Sequence, residues 1–513
     1  MITMLVPNSN SNDFSTISEL ISIHATERPD TVALRCKDVA ITYEELQSLT
    51  ELITAAIQFH GIPSHTAIAV ASSNPLLATL AFLGIIRAGC VSVPIVLSAS
   101  SEQISSVIAD ACVPLVFLDN DFLDKFPSSN VAIANLDEFD NWLAPAEFVT
   151  TAVDISPTDP FNIIYSSGTT GTPKGIIQTH GMRWSQITTY GQLVPQSDSA
   201  VTLVATPLYS NTTLVSLLPS LVYGGTAVLM GKFDAYEFLV EAQRSQATHT
   251  MLVPVQYQRI MALPEFNDFD LGSFIFKACT GAHFPAELKA DVLDRWPGAL
   301  LDIYGMTEGG GTCLLFADKF PHKLHTVGQP APGCEIRLIN VLGQEVGSGE
   351  VGEVVGRSNI MMQGYHGRPD ATREATWADT NGNLYIRHGD LGRFDNDGFL
   401  ILLGRNKDMI ISGGFNIYPS DIEAVLRSHP AIKDCAVIGI PSTAWGETPY
   451  AFYVEENGSL NPDEVMDWVN QRVNKIQRLS GAQAIAQLPA SAIGKVLKRE
   501  LRVLFLNNYP TAK

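Results

Sequence analysis

The chain has 513 residues, too many for one hydrophobic core, so the sequence predicts at least two domains, a large subdivided one and a smaller one. With 46% hydrophobic and 17% charged residues it reads as an ordinary globular protein, and 33 Lys+Arg against 53 Asp+Glu leave a net charge of -20 that argues against nucleic acid and anionic lipid as partners. An anionic ligand must then be attracted by backbone amides and a few placed cations rather than by the global field.

The opening segment, MITMLVPNSNSNDF, lacks a basic stretch followed by an apolar run, so no signal peptide is expected. Thr42 and Glu45 form a capping-box pattern, followed by Leu46, Leu49, Ile53, Ala56 and Ile57 at helical spacing: an amphipathic helix. The most apolar stretch, residues 76–97, is interrupted by Arg87, Gly89 and Pro94, and reads as a buried helix turning into a core strand rather than as a membrane span. Apolar, β-branched runs at 67–71, 113–118, 162–165, 201–205 and 226–230 alternate with longer helical patterns, which favours α/β layering with largely buried strands.

After about residue 404 the texture changes, with Gly404-Arg405-Asn406-Lys407-Asp408 followed by an apolar triplet and the pair Gly413-Gly414. A boundary is placed here, giving domains 1–404 and 405–513. Ser420 and Glu423 suggest a second capping box, residues 435–440 and 451–454 read as strands, and Asn461-Pro462 opens a helix carrying Val465, Trp468, Val469 and Val473. The expected fold class is thus α/β, a large N-terminal α/β body of several subdomains with a small α+β C-terminal domain. The seven cysteines are odd in number, scattered and never spaced C-x-x-C, as expected of reduced thiols in a cytoplasmic protein.

The strongest local signal is Tyr165-Ser166-Ser167-Gly168-Thr169-Thr170-Gly171-Thr172-Pro173-Lys174-Gly175, directly after a strand-like run. Small residues let successive N–H groups approach phosphate oxygens, hydroxyls add donors, and Lys174 supplies a positive charge. The spacing is not that of a Walker A loop. Four further segments follow: Tyr304-Gly305-Met306-Thr307-Glu308, His388-Gly389-Asp390-Leu391-Gly392, the Gly404–Asp408 run, and Ser491-Ala492-Ile493-Gly494-Lys495. In order and spacing these five segments resemble the adenylate-forming superfamily of acyl-CoA synthetases, peptide-synthetase adenylation domains and luciferases, and the likeness covers essentially the whole chain. In look it is closest to the acyl- and aryl-CoA ligases.

The resemblance implies an acid–thiol ligase that uses ATP and Mg²⁺ to form an acyl-adenylate and passes the acyl group to coenzyme A. It places Ser166, Ser167, Gly168, Thr169, Thr170, Gly171 and Lys174 around the phosphates. Gly281 and Ala282 would lie against the adenine, Asp302 would accept from its amino group, Tyr304 belongs to the nucleotide-binding set, and Thr307 would donate to the α-phosphate. Glu308 would hold the metal, as suits a hard cation. Asp390 would accept from both ribose hydroxyls, which needs a buried, unpaired carboxylate, with Arg405 nearby. Lys495 would neutralise the attacking carboxylate and the α-phosphate, and Lys407 marks a hinge that makes the small domain mobile between half-reactions. Gly413, Gly414 and Trp445 would line the pantetheine path.

The acyl pocket is assigned to Trp184, Tyr209, Ser210, Asn211, Thr212, Thr280 and the run Gly309-Gly310-Gly311, whose missing side chains would leave volume beside Tyr304. That set contains no Lys or Arg to pair a second carboxylate, so a monocarboxylic acid, aromatic or medium aliphatic, is expected. Two departures stand out. Pro207-Leu208-Tyr209-Ser210 lacks the histidine that often closes this motif, and Lys475-Ile476-Gln477-Arg478 matches only loosely the basic stretch preceding the last strand. The alternatives are a stand-alone enzyme loading a carrier protein and a catalytically silent binding module. No carrier segment follows Lys495, no aspartate near Tyr209 would hold an α-ammonium, and the key polar residues are all present. Partners are therefore a small carboxylic acid, ATP and coenzyme A, with a carrier protein as the alternative acceptor, no nucleic acid and no integral membrane segment.

Overall fold

A computed structural model describes residues 14–126, 131–166, 174–413, 415–456, 458, 460–491 and 494–509. They divide into two compact units. The first holds the described residues up to Leu324 with 330–335 and 356–386; the second takes 325–329, 336–355 and the described residues from Arg387 onward.

One sheet of the first unit runs in the order Gly364–Tyr365, Lys174–Thr179, Pro160–Ser166, Val91–Pro94, Ala67–Ala71, Leu115–Leu118 and Ala132–Asn135. The crossover from Ala67–Ala71 to Val91–Pro94 is the helix Pro75–Arg87, started by Pro75 at its first position and by Asn74, whose side chain accepts from the N–H groups of Leu76 and Leu77. It is apolar on all sides because it is buried on nearly all sides, the outcome expected for residues 76–97. The amphipathic helix Tyr43–Phe59 has its capping box of Thr42 and Glu45.

The other sheet places Ala299–Tyr304, Phe276–Thr280, His249–Leu252, Val201–Val204, Thr226–Leu229 and Val32–Cys36 side by side and parallel. Strands of one direction end on one edge, so the segments after Val204, Leu252, Thr280 and Tyr304 all emerge together there. Ligands of open α/β sheets bind at that carboxyl edge. Runs 67–71, 113–118, 162–165, 201–205 and 226–230 each overlap an observed strand.

In the second unit, Ile432–Ser442 and Gly446–Glu455 form a long hairpin, extended by Ile410–Ser412, Phe415–Ile417 and Gly481–Ala484. Alternation along Ile432–Ser442 sends Cys435 and Val437 to a core with Ile422, Leu426, Val465 and Val469, and Ala436 and Ile438 to a core with Leu501 and Phe505. The helix Pro462–Asn470 begins as expected, its Asn461 cap accepting from the Asp463 N–H. The expected capping box at Ser420 and Glu423 is not formed. Pro419 opens the helix Pro419–Arg427 with Tyr418 as cap, the Ser420 hydroxyl donates to the Leu403 carbonyl at 2.5 Å, and buried Glu423 accepts from the Val437 N–H and the Lys498 ammonium. Proline at the first helical position moved the start two residues upstream and freed both side chains for other partners. The seven cysteines are free, and no described helix is long and apolar enough to cross a membrane.

Candidate active site

The strand Pro160–Ser166 and the strand Lys174–Thr179 pair antiparallel, with Ser166 opposite Lys174. Ser167, Gly168, Thr169, Thr170 and Gly171 lie outside the described residues. At the exit of this segment the Lys174 ammonium sits 5.1 Å from the centre of the Tyr365 ring, and the Tyr365 hydroxyl donates to Glu308 Oε1 at 2.9 Å. Burial, and then the Glu308 charge, raise the Tyr365 phenol well above its ordinary value. Two turns of pleat further on, Gln178 donates its Nε2 hydrogen to the Thr307 carbonyl at 2.8 Å. One strand thus places Lys174 beside Tyr365 and supports Thr307, bringing together residues far apart in sequence. Tyr365 and Gln178 were not singled out from the sequence; the Gly364-Tyr365 pair is too short a signal to stand on its own.

Glu308 is also fixed through its backbone, its carbonyl accepting from Met362 N–H at 2.8 Å, while Gly310 N–H donates to Ile360 at 2.7 Å. These bonds correct the reading of the glycine run. A Cβ on Gly309 would fall 2.0 Å from the Ile360 carbonyl oxygen, and one on Gly310 would fall 2.7 Å from the Gly356 oxygen and 2.8 Å from Ile386. Both have positive φ, +74° and +90°. The space these glycines leave is filled by protein backbone, so Gly309 and Gly310 are required by torsion and close approach and open no volume for an acyl group.

At the carboxyl edge of the parallel sheet, Thr280 donates its hydroxyl to the Ile303 carbonyl at 2.8 Å, tying Phe276–Thr280 to Ala299–Tyr304 just before Gly281, Ala282 and Tyr304. Asp302 faces inward: its Oδ2 lies 2.6 Å from the Lys289 ammonium, and both side chains are buried. Burial pushes the Asp302 carboxyl up while Lys289 opposes the shift, so this pair anchors the strand to the helix Ala286–Arg295.

Of the acyl-pocket candidates, Ser210 caps the helix Asn211–Val222, accepting from the Thr212 N–H, which accounts for a small hydroxyl where a histidine is common. Thr212 Oγ1 lies 4.0 Å from where a Cβ on Gly281 would stand, so the start of this helix and the Gly281 segment share one end of the sheet. Tyr209 is half-buried, with its phenol raised by burial. Trp184 packs edge-on with Phe14. Beside it, Arg183 is a residue the sequence reading missed: it is 1% exposed, and its Nη1 donates to Asn211 Oδ1 at 2.7 Å. Burial pushes Arg183 down to about 9, still charged at neutral pH. A lone arginine between Met182 and Trp184 carries no signal of burial in sequence.

In the second unit, antiparallel register sets Asp390 opposite Arg405, and Arg405 Nε lies 2.8 Å from Asp390 Oδ1. The Asp390 carboxylate is therefore ion-paired, not the unpaired group anticipated. Asp408 pairs with Arg502 at 3.0 Å on the other side of exposed Lys407, whose ammonium is lowered by desolvation. Lys495 closes a tight turn: its N–H donates to the Ser491 hydroxyl, its carbonyl accepts from the Ser491 N–H, and Gly494 between them has φ +76°. That torsion explains the Gly-Lys pair. Desolvation, then the Arg405 charge, push the Lys495 ammonium down to about 8, with Asp390 pulling it back up. The side chain still reaches solvent, which limits the desolvation. Gly413 lies under Trp445: its N–H donates to the Trp445 carbonyl at 2.7 Å, and a Cβ there would meet the indole at 2.7 Å. The other glycine of that pair, Gly414, lies outside the described residues.

Among the described residues no group of three or more His, Cys, Asp or Glu is suited to holding a metal. A single carboxylate, Glu308, held in place by Tyr365 next to Lys174, would suit a hard cation such as Mg²⁺ whose other ligands would be phosphate and water oxygens, so the residues fit that ion.

This combination of a parallel sheet with a Thr-Glu pair at its carboxyl edge and a second unit carrying an Asp–Arg pair beside a turn-borne lysine defines a class, and the chain belongs to the AMP-binding enzyme family. The AMP-binding enzyme model matches residues 21–366, and the model of the family's C-terminal domain matches 421–495. Among its relatives are a feruloyl-CoA synthase from an Amycolatopsis species, 32% identical over 489 residues that cover 93% of this chain and 96% of that one, and an indoleacetate–CoA ligase from Aromatoleum aromaticum, 30% identical with 95% and 98% covered. A solved o-succinylbenzoate-CoA synthetase from Bacillus subtilis, in complex with its acyl-adenylate intermediate, superposes with a TM-score of 0.85 at 26% identity, covering 94% of this chain and 97% of that one.

Proposed function

We propose that the protein is an AMP-forming acyl-CoA synthetase of the cytoplasm, acting on a monocarboxylic acid, aromatic or medium aliphatic. The acid carboxylate attacks the α-phosphorus of ATP, giving acyl-AMP and pyrophosphate; the coenzyme A thiol then attacks the acyl carbon, giving the thioester, AMP and a proton. The observation that carries this is the line Lys174, Tyr365, Glu308, with Thr307 held by Gln178: a cation, a metal-competent carboxylate and a braced hydroxyl residue side by side where phosphates must be received. Bound Mg²⁺ supplies charge neutralisation for the phosphate oxygens there.

The protein's own groups then have these roles. Lys174 and the segment Ser166, Ser167, Gly168, Thr169, Thr170, Gly171 bind phosphates, Thr307 donates to the α-phosphate, and Gly281, Ala282, Tyr304 and, through its anchoring of the strand, Asp302 shape the adenine wall. Asp390 meets the ribose hydroxyls with its Arg405 partner beside it. Lys495 offsets the repulsion between the incoming carboxylate and the α-phosphate. Lys407 is the hinge between residues 1–404 and 405–513, and Gly413, Gly414 and Trp445 line the thiol path. Trp184, Tyr209, Ser210, Asn211 and Thr280 surround the acyl group; Arg183 is cationic, yet all its N–H groups are taken, which leaves no donor for a second carboxylate. The naming of the curated relatives as CoA ligases supports coenzyme A over a carrier protein as acceptor. The test is pyrophosphate release with acetate, octanoate, benzoate, a hydroxycinnamate and a dicarboxylate, each with and without coenzyme A. Thioester formation led by an aromatic or medium aliphatic acid is expected; acetate or the dicarboxylate leading, or acyl transfer to a carrier protein alone, would overturn the reading.

A further inference from the structure

Arg183 occupies an unusual environment. Its five N–H groups are all used, and every acceptor is a neutral amide oxygen: Asn162 Oδ1 takes Nε and Nη2, both at 3.1 Å, Gln186 and Asn211 take Nη1 at 2.6 and 2.7 Å, and Gln178 takes Nη2. The Phe161 ring lies beneath the guanidinium, 5.9 Å away. Among the described residues no carboxylate is bonded to this fully buried cation. A structural arginine is ordinarily neutralised by an acid, since burying an uncompensated charge is costly; four side-chain amides here are committed to solvating it.

The consequence falls on Asn211. A guanidinium only donates, so the oxygen of the Asn211 amide must face it, and the NH₂ half must point the other way. Inverting the amide would set N–H against N–H beside a buried charge. The Asn211 nitrogen has no hydrogen-bond partner among the described residues and is not sealed from solvent. Its residue is the first of the helix Asn211–Val222, at the carboxyl edge of the sheet, where the neighbouring Thr212 hydroxyl approaches Gly281.

We propose that Arg183 is a positioning residue for substrate choice: by holding the Asn211 oxygen it fixes the Asn211 NH₂ as a donor that selects acids bearing a hydrogen-bond acceptor, such as an ether or carbonyl oxygen, away from the reacting carboxylate. The inference rests on Asn211 lining the acyl pocket, as proposed above. A rigid donor of this kind discriminates through the penalty on acids that leave it unpaired, which is larger than the discrimination a purely apolar pocket achieves.

The experiment compares the three methoxybenzoates with the three ethylbenzoates, pairs of nearly equal shape that differ by one ether oxygen, in wild type and in Asn211→Asp. The aspartate keeps an oxygen on Arg183, preserving the buried cage, and replaces the outward donor by an acceptor. At least one methoxy isomer should exceed its ethyl counterpart about tenfold in kcat/KM in the wild type, and that ratio should fall about tenfold in the variant. Arg183→Lys, whose single ammonium cannot reach all four amides, should lower the same ratio with its melting temperature recorded alongside. Calorimetric binding of the six acids in the presence of AMP reads the preference without turnover, so absence of adenylate with every acid would count against the proposed function while the binding ratio still decides this inference. Methoxy-to-ethyl ratios near one for all pairs in wild type, or unchanged in Asn211→Asp, would overturn it.

Discussion

Replacing Tyr365 by Phe removes one hydroxyl and keeps the ring on which Lys174 rests, so it isolates the 2.9 Å hydrogen bond to Glu308. A hydrogen bond to a charged group contributes about 1.5–3 kcal/mol, and about 1.4 kcal/mol is a factor of ten, so the loss in the step that depends on Glu308 should be roughly ten- to a hundredfold. Without the hydroxyl, Glu308 keeps its backbone anchor to Met362 but its carboxylate is free to rotate. The effect should appear in acid-dependent ATP–pyrophosphate exchange as a raised requirement for Mg²⁺, partly recovered at high metal concentration. Transfer from preformed acyl-adenylate to coenzyme A should be nearly unaffected, since pyrophosphate has already left. Tyr365→Leu, which also removes the cation–π contact of about 0.5–1 kcal/mol, should be weaker by a further factor of two to five. A change below twofold in Tyr365→Phe across a magnesium titration would refute the argument that Tyr365 orients the metal-binding carboxylate.

Lys495→Ala should abolish adenylate formation yet largely preserve thioester formation from preformed acyl-adenylate, and equal loss in both half-reactions would remove the role assigned to Lys495. Because the Lys495 ammonium is lowered to about 8, it is protonated below that pH and neutral above it; the adenylation rate should decline as pH rises through about 8, whereas an ordinary lysine would sustain it to about pH 10. Lys407→Pro should spare adenylation and depress thioester formation by restricting the backbone at the hinge, and unimpaired thioester formation would place the hinge elsewhere. Gly310→Leu should destabilise the fold by about 3 kcal/mol or more, seen as a lower melting temperature, because the added side chain meets the Gly356 carbonyl and Ile386; a variant of normal stability that excludes only bulky acids would restore the volume reading.

Much of the secondary structure could be read from the sequence because local rules and tertiary demands agree. Thr42 and Glu45 cap the helix that follows, and the largely apolar run after Asn74 is buried on nearly every face. The failure at Ser420 and Glu423 has the same root: a capping pattern is only a competition, and Pro419 together with the buried partners of Glu423 won it. Site residues were legible where a motif compresses chemistry into neighbours, as in Thr307-Glu308 and Gly494-Lys495. They were not legible where the chemistry is assembled across the fold. Tyr365 reaches Glu308 over 57 positions, and Arg183 reaches Asn211 over 28. The glycines after Glu308 mislead for a related reason, since an absent side chain looks alike in sequence whether its place is taken by ligand or, as here, by the backbone around Ile360.

The central claim is that the acid is activated by attack of its own carboxylate on the α-phosphorus of ATP. Benzoate labelled with ¹⁸O in both carboxylate oxygens, or whichever acid leads the substrate panel, should be converted with ATP and coenzyme A, and the nucleotide and phosphate products examined by mass spectrometry. The expected result is thioester together with AMP carrying one ¹⁸O on its phosphate and pyrophosphate carrying none; ADP as the nucleotide product, or AMP free of label, would contradict it.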